Sequence, residues 1–159
     1  MTLKAIFKHV FNSLMLASLS FAASANVVLV DGYVRAMPAS VPNTAAYLTL
    51  ENHTEDAVKL VAVKTDIAKE AQLHTIIEDN GIVKMRQVDG FDIASHSALQ
   101  LKPSGDHIML LSLLKPLTID TKVTLTLVFD NEQQLDVELP VLKQMSQTEQ
   151  DHSMHHHQH

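Results

Sequence analysis

Two histidines and two methionines stand in the order His74, Met85, His107, Met109, separated by ten, twenty-one and one residues. The chain has no cysteine, so imidazole and thioether are its softest donors. Neutral imidazole suits copper and zinc, whereas thioether sulfur selects Cu(I) over zinc and the hard cations. The same lack of cysteine excludes a disulfide scaffold. It also excludes a blue-copper electron-transfer centre, which needs a thiolate.

The elements around these residues are expected to bring them together. The run from Ala71 to Val88 reads as a β-hairpin turning at Asn80-Gly81, because a type I′ turn needs positive φ at both central residues. With that turn, Asp79 faces Ile82, Ile76 faces Met85 and His74 faces Gln87. His74 and Met85 then share a face as diagonal neighbours, about 7–8 Å apart at the backbone. His107 and Met109 are spaced i, i+2, which puts both on one face of a strand. Two ribbons could each offer one imidazole and one sulfur to a common point.

The pattern H-x10-M-x21-H-x-M resembles the signature of the periplasmic copper chaperone family called PCuAC. Further matching text is Tyr33-Val-Arg35, Ala45 to Asn52, Leu73-His74, Lys84-Met-Arg86, Leu101-Lys-Pro103 and His107-Ile-Met-Leu110. The resemblance runs from about Val27 to Leu142. It implies a cupredoxin-like β-sandwich that binds Cu(I) through His74, Met85, His107 and Met109. It also implies help in metallating respiratory oxidases, with an apo copper protein such as a CuA subunit, or another copper chaperone, as partner. Many members carry a second methionine directly after the first histidine; here that position is Thr75.

Residues 1–25 read as a secretory signal peptide, with Lys4 and Lys8 ahead of an apolar stretch from Val10 to Ala22 and an Ala23-Ser24-Ala25 cleavage site. The apolar run is shorter than the ~20 residues that span a bilayer, so the expectation is a periplasmic protein with no membrane insertion after cleavage. No cysteine follows the leader to carry a lipid. Cleavage would remove two of the 12 basic residues and none of the 18 acidic ones, a balance of −8 with histidines neutral. That sign argues against nucleic acid, which needs clustered Lys and Arg.

Residues 26–142 form the expected domain. Strand text recurs at Val27–Val30, Tyr33–Ala36, Ala45–Glu51, Val58–Lys64, Gln72–Glu78, Val83–Val88, Ala98–Leu101, His107–Leu113, Val123–Phe129 and Gln134–Val141. Many short strands split by turn text predict an all-β fold, a Greek-key sandwich or barrel. Residues 143–159 are polar and read as a disordered tail. It ends in His152, Met154, His155, His156, His157 and His159, a second metal-binding set richer in nitrogen and better suited to Cu(II).

The remaining candidates are weaker. His53 and His96 lie in turn text and read as solvated, and Glu78-Asp79 as turn acids rather than a catalytic pair. Met37 precedes Pro38 near a strand end, where it could shield a site. Asp106 is adjacent to His107 and could orient its imidazole only poorly, because neighbours on a strand point to opposite faces. With no G-x-S-x-G elbow, no H-E-x-x-H and no cysteine nucleophile, the chain does not read as an enzyme. The function expected is a Cu(I) carrier. The alternatives are a copper-sequestering resistance protein and a β-sandwich that binds a protein without metal.

Overall fold

A computed structural model describes residues 27–143. The expected signal peptide and the histidine-rich tail, with His152, Met154, His155, His156, His157 and His159, lie outside the described residues.

The described residues form ten strands and no helix: β1 (Val27–Arg35), β2 (Thr44–Asn52), β3 (Val58–Lys64), β4 (Ala68–Asp79), β5 (Ile82–Gln87), β6 (Phe91–Ile93), β7 (Ser97–Leu101), β8 (His107–Leu113), β9 (Lys122–Phe129) and β10 (Gln134–Leu142). Hydrogen bonding orders them β5-β4-β8-β2-β1-β10-β9-β3-β6, with β7 also paired to β2. Every adjacent pair is antiparallel except β1 and β10, where Val34 pairs with Val141 in parallel. That pairing joins one layer, β5-β4-β8-β2-β1, to the other, β10-β9-β3-β6.

The layers share one core. Val34, Leu48, Leu50, Leu73, Ile108 and Leu110 come from the first; Leu60, Phe91, Ile93, Leu125, Leu127, Phe129, Leu139 and Val141 come from the second. Alternation decides this, since a strand presents successive side chains to opposite faces. In β9, Val123, Leu125, Leu127 and Phe129 point inward while Lys122 and Thr124 stay exposed. A close approach fixes Gly32: a Cβ there would meet the Leu48 Cβ at 2.7 Å and the Tyr47 carbonyl at 2.9 Å.

Two sequence expectations are corrected. The first two strand segments are one strand, β1, with a bulge between Leu29 and Asp31 that absorbs the Asp31-Gly32 break. Phe91–Ile93, which has only three residues and follows Gly90, is an additional strand paired with β3.

The β4–β5 hairpin has the expected register. His74 pairs with Gln87, Ile76 with Met85 and Asp79 with Ile82. Asn80 and Gly81 both take positive φ, 53° and 75°, as a type I′ turn requires. β5 is the edge of the first layer, and all six of its residues are exposed.

Candidate metal centre

β4 runs between β5 and β8, so it ties the hairpin to the strand carrying the second histidine. In the β4–β8 register Leu73 pairs with Ile108, both in the core, while His74 pairs with His107 and Gln72 with Met109. Paired residues share a face, and neighbours alternate. His74, His107, Met109 and Met85 therefore all lie on the outward face of the first layer. The two imidazole centroids are 5.8 Å apart.

The surroundings of this face are graded. His107 is buried, with 4% of its surface exposed, whereas Met85 on the edge strand is 60% exposed. Behind His107 stands an aromatic stack: Tyr47 at 6.4 Å between centroids, then Tyr33 at 5.3 Å from Tyr47. Burial, aided by Tyr47, holds the Tyr33 phenol above its ordinary value of 10.0, so that phenol stays uncharged at neutral pH. Ala45 pairs with Met109, and its short side chain leaves a hollow beside the sulfur.

That hollow is part of a cavity of about 240 Å³ lined by His107, Met109, Met85 and Met37, with Tyr47, Ala45 and Arg35 among the other walls. Met37 follows β1 in the loop leading to β2, and its side chain is half-buried. His74 is not one of the lining residues.

Each imidazole has one nitrogen engaged. The His107 Nδ1–H donates to the Gly105 carbonyl at 2.8 Å, which leaves Nε2 with its lone pair. The His74 Nε2–H donates to the Gln72 Oε1 at 2.9 Å. Its Nδ1 is buried and has no hydrogen-bond partner. A buried nitrogen lone pair without a donor is costly, and a bound cation would satisfy it. A histidine that ligates metal commonly donates its other N–H to a carbonyl or carboxylate in this way. Burial, and secondarily the neighbouring His107, lowers the His74 pKa below 6.5, which favours the neutral form that can coordinate.

The donor chemistry discriminates among metals. Among the described residues no group of three or more His, Asp or Glu stands close enough to hold a metal ion. The soft side-chain donors left beside the two imidazoles on this face are the methionine sulfurs. Arg35 is the one permanently charged side chain on the cavity wall, and no carboxylate lines it. Neutral, soft donors match a monovalent soft cation and give no anionic ligand to Ca²⁺ or Mg²⁺.

The other candidates fall away from this face. Asp106 accepts a hydrogen bond from the Thr75 hydroxyl at 2.6 Å and does not orient His107; Gly105 does. His53 and His96 are exposed and stand 3.3 Å from Glu51 and 3.1 Å from Glu55. Sequence reasoning did not find Gln72, Arg35 or the Gly105 carbonyl. Only the i, i+2 spacing of Gln72 and His74 carried a signal.

A family model described as "Putative lipoprotein LpqE-like" matches residues 27–141. The chain belongs to the LpqE-like family. Among solved structures, the Cu(I) form of DR1885 from Deinococcus radiodurans is 32% identical to this LpqE-like chain. The match covers 80% of this chain and 85% of that one, with a TM-score of 0.63. The copper-bound PCuAC domain of PmoF2 shares the fold at 18% identity and a TM-score of 0.65, over 77% of this chain and 97% of that one. These neighbours mark the LpqE-like architecture as cupredoxin-like. A protein of Leifsonia xyli subsp. xyli named "Putative lipoprotein Lxx21020" is 34% identical over 99 residues, 62% of this chain and 60% of that protein. The chain thus spans about three fifths of the length of the curated relatives it matches.

Proposed function

We propose that this LpqE-like protein is a periplasmic carrier that binds Cu(I) through His74, Met85, His107 and Met109. The observation that carries the reading is the shared outward face of these four residues, on which the buried His74 Nδ1 has no partner. The similarity to the Cu(I) form of DR1885 supports the metal. The leader text, and the lipoprotein names of the family and of the Leifsonia relative, support export.

In this reading both imidazoles coordinate in the neutral state. Gly105 fixes the His107 ring and Gln72 the His74 ring, which leaves His107 Nε2 and His74 Nδ1 as the coordinating atoms. The thioethers do not titrate. Tyr47 and the core behind β8 keep water from the buried end. Met85, on the exposed edge strand, is where a partner's donors enter before the carrier's own donors leave. The client is an apo copper protein such as the CuA subunit of a respiratory oxidase or another copper chaperone. The histidine-rich tail is a separate nitrogen site for Cu(II).

X-ray absorption on Cu(I)-loaded protein lacking Asp151–His159 tests the site. The expected shell contains both nitrogen and sulfur, and His107→Ala removes a nitrogen neighbour and most of the affinity. A shell of nitrogen and oxygen alone would end the proposal. Transfer of the bound Cu(I) to an apo CuA domain separates a carrier from a buffer.

A further inference from the structure

All three methionines among the described residues, Met37, Met85 and Met109, line the same cavity with His107, and His74 does not line it. Every described thioether thus borders a single cavity. Two of the three belong to the site already proposed. Met37 is left over.

Its placement is deliberate in physical terms. The loop carrying it is held at both ends: Ala36 N–H donates to the Leu142 carbonyl at 2.7 Å, and Leu113 N–H donates to the Pro42 carbonyl at 2.7 Å. The Ser112 N–H donates to the Asn43 Oδ1 at 2.9 Å, and Val41 N–H closes on the Pro38 carbonyl at 2.9 Å. Pro38 restricts the backbone of the residue before it to extended conformations. Met37 is thus presented from a pinned loop on the β1–β2 side of the cavity, while Met85 comes from the exposed hairpin on the other side. A half-buried methionine ordinarily fills a gap in a core, but here the gap is still open and its other walls include an imidazole and two sulfurs.

His74 differs from the other donors. Its ring is absent from the cavity wall. The cavity itself therefore presents one imidazole and three thioethers. Cu(I) accepts such a set, since thioether sulfur is among its preferred donors.

We propose that Met37 is a further copper ligand, a thioether that completes a Cu(I) shell with Met85, His107 and Met109 when His74, which does not line the cavity, is not bound to the ion. This rests on the copper reading above and adds a second way of holding the ion in the same cavity. The carrier then has five donors for four positions. It can exchange His74 for Met37 without releasing the metal, and the pinned loop supplies the sulfur that stays behind when the hairpin moves.

The test uses the full chain and less than one equivalent of Cu(I), so that the tightest site is read. In a His74→Ala background, Cu(I) still binds, and adding Met37→Leu, which preserves apolar volume, lowers affinity at least about tenfold, the low end for a disturbed metal site. X-ray absorption on the same pair loses one sulfur neighbour. A second measurement leaves Met37 in place: Cu(I) added to the His74→Ala chain shifts the Met37 methyl resonance along with that of Met109. Equal affinity and equal sulfur count with and without Met37, or a Met37 methyl that Cu(I) does not move, would overturn the proposal. The copper reading would survive that result provided His107→Ala still abolishes binding; undiminished binding after His107→Ala with Met109→Ala would remove both.

Discussion

Thr75 occupies the position where many PCuAC members have a methionine, and Thr75→Met is expected to leave the copper shell unchanged. Neighbours on a strand point to opposite faces, and His74 faces outward beside His107. Position 75 therefore faces the other way, where its hydroxyl donates to Asp106 at 2.6 Å. A thioether placed there meets the β7–β8 loop, not the outward face. The substitution does remove that hydrogen bond. A bond to a charged acceptor contributes roughly 1.5–3 kcal/mol, and the half-buried positions of both partners put this one at or below the lower end. A loss of about 1 kcal/mol lowers the melting temperature of a domain this size by roughly 3–6 °C. The assay is X-ray absorption on Cu(I)-loaded Thr75→Met beside the unsubstituted chain, with thermal melts of both apo proteins. An additional sulfur neighbour in the variant would refute the assignment of faces on which the whole site depends.

Ile108 lies between His107 and Met109 and is fully buried opposite Leu73. Ile108→Ala should cost about 2–5 kcal/mol, read as a lower urea midpoint, while Cu(I)-loaded protein recovers part of the loss because ligand binding favours the folded state. The His74 pKa lies below 6.5, so its neutral form persists in the fold at pH values where a free histidine is protonated. The stability linked to His74 is then fully present above pH 6.5 and is lost as pH falls through the depressed folded value. The His74 contribution to Cu(I) affinity follows the same direction, weakening as pH falls through the depressed value; competition titrations from pH 7.5 to 5, with and without His74→Ala, check this, and a His74-dependent loss confined to pH above 6.5 would contradict it. Deleting Asp151–His159 should remove a second copper equivalent and spare the first, as read by copper stoichiometry.

The hairpin register was legible because Asn80-Gly81 needs no tertiary information: its positive φ angles fix the turn, and the turn fixes every pair from Asp79–Ile82 to His74–Gln87. β8 was legible with the same bounds because His107 to Leu113 is apolar and bounded by turn text. The pairing of β4 with β8 was not, since thirty-two residues separate His74 from His107 and no local signal reports a long-range register. Nor was the orientation of His107. Asp106 has the charge, but alternation turns it toward Thr75, and a backbone carbonyl two residues away takes the Nδ1 proton instead. Met37 illustrates the same limit. A methionine before a proline carries no periodic pattern, and only the meeting of β1, β2 and β8 shows that it faces the sulfurs.

The gradient across the outward face bears on how an ion would leave. His107 and Met109 stand on β8, flanked by β4 and β2, and the residue between them is sealed in the core. Any motion of that pair must disturb two ladders. Met85 stands on a strand that pairs only with β4, with every residue exposed, including Ile82 and Val83. Opening the β4–β5 hairpin uncovers little apolar surface that is not already in water, so it belongs to the low-stability end of the fold. A copper ion held by this set is therefore released from the Met85 side first. Stiffening that side is the discriminating perturbation: a cross-link between β4 and β5 at Ile77 and Lys84, which pair on the face opposite His74, should leave Cu(I) affinity within a few-fold and slow transfer to an apo acceptor. Unchanged transfer kinetics would show that the hairpin is not the exit.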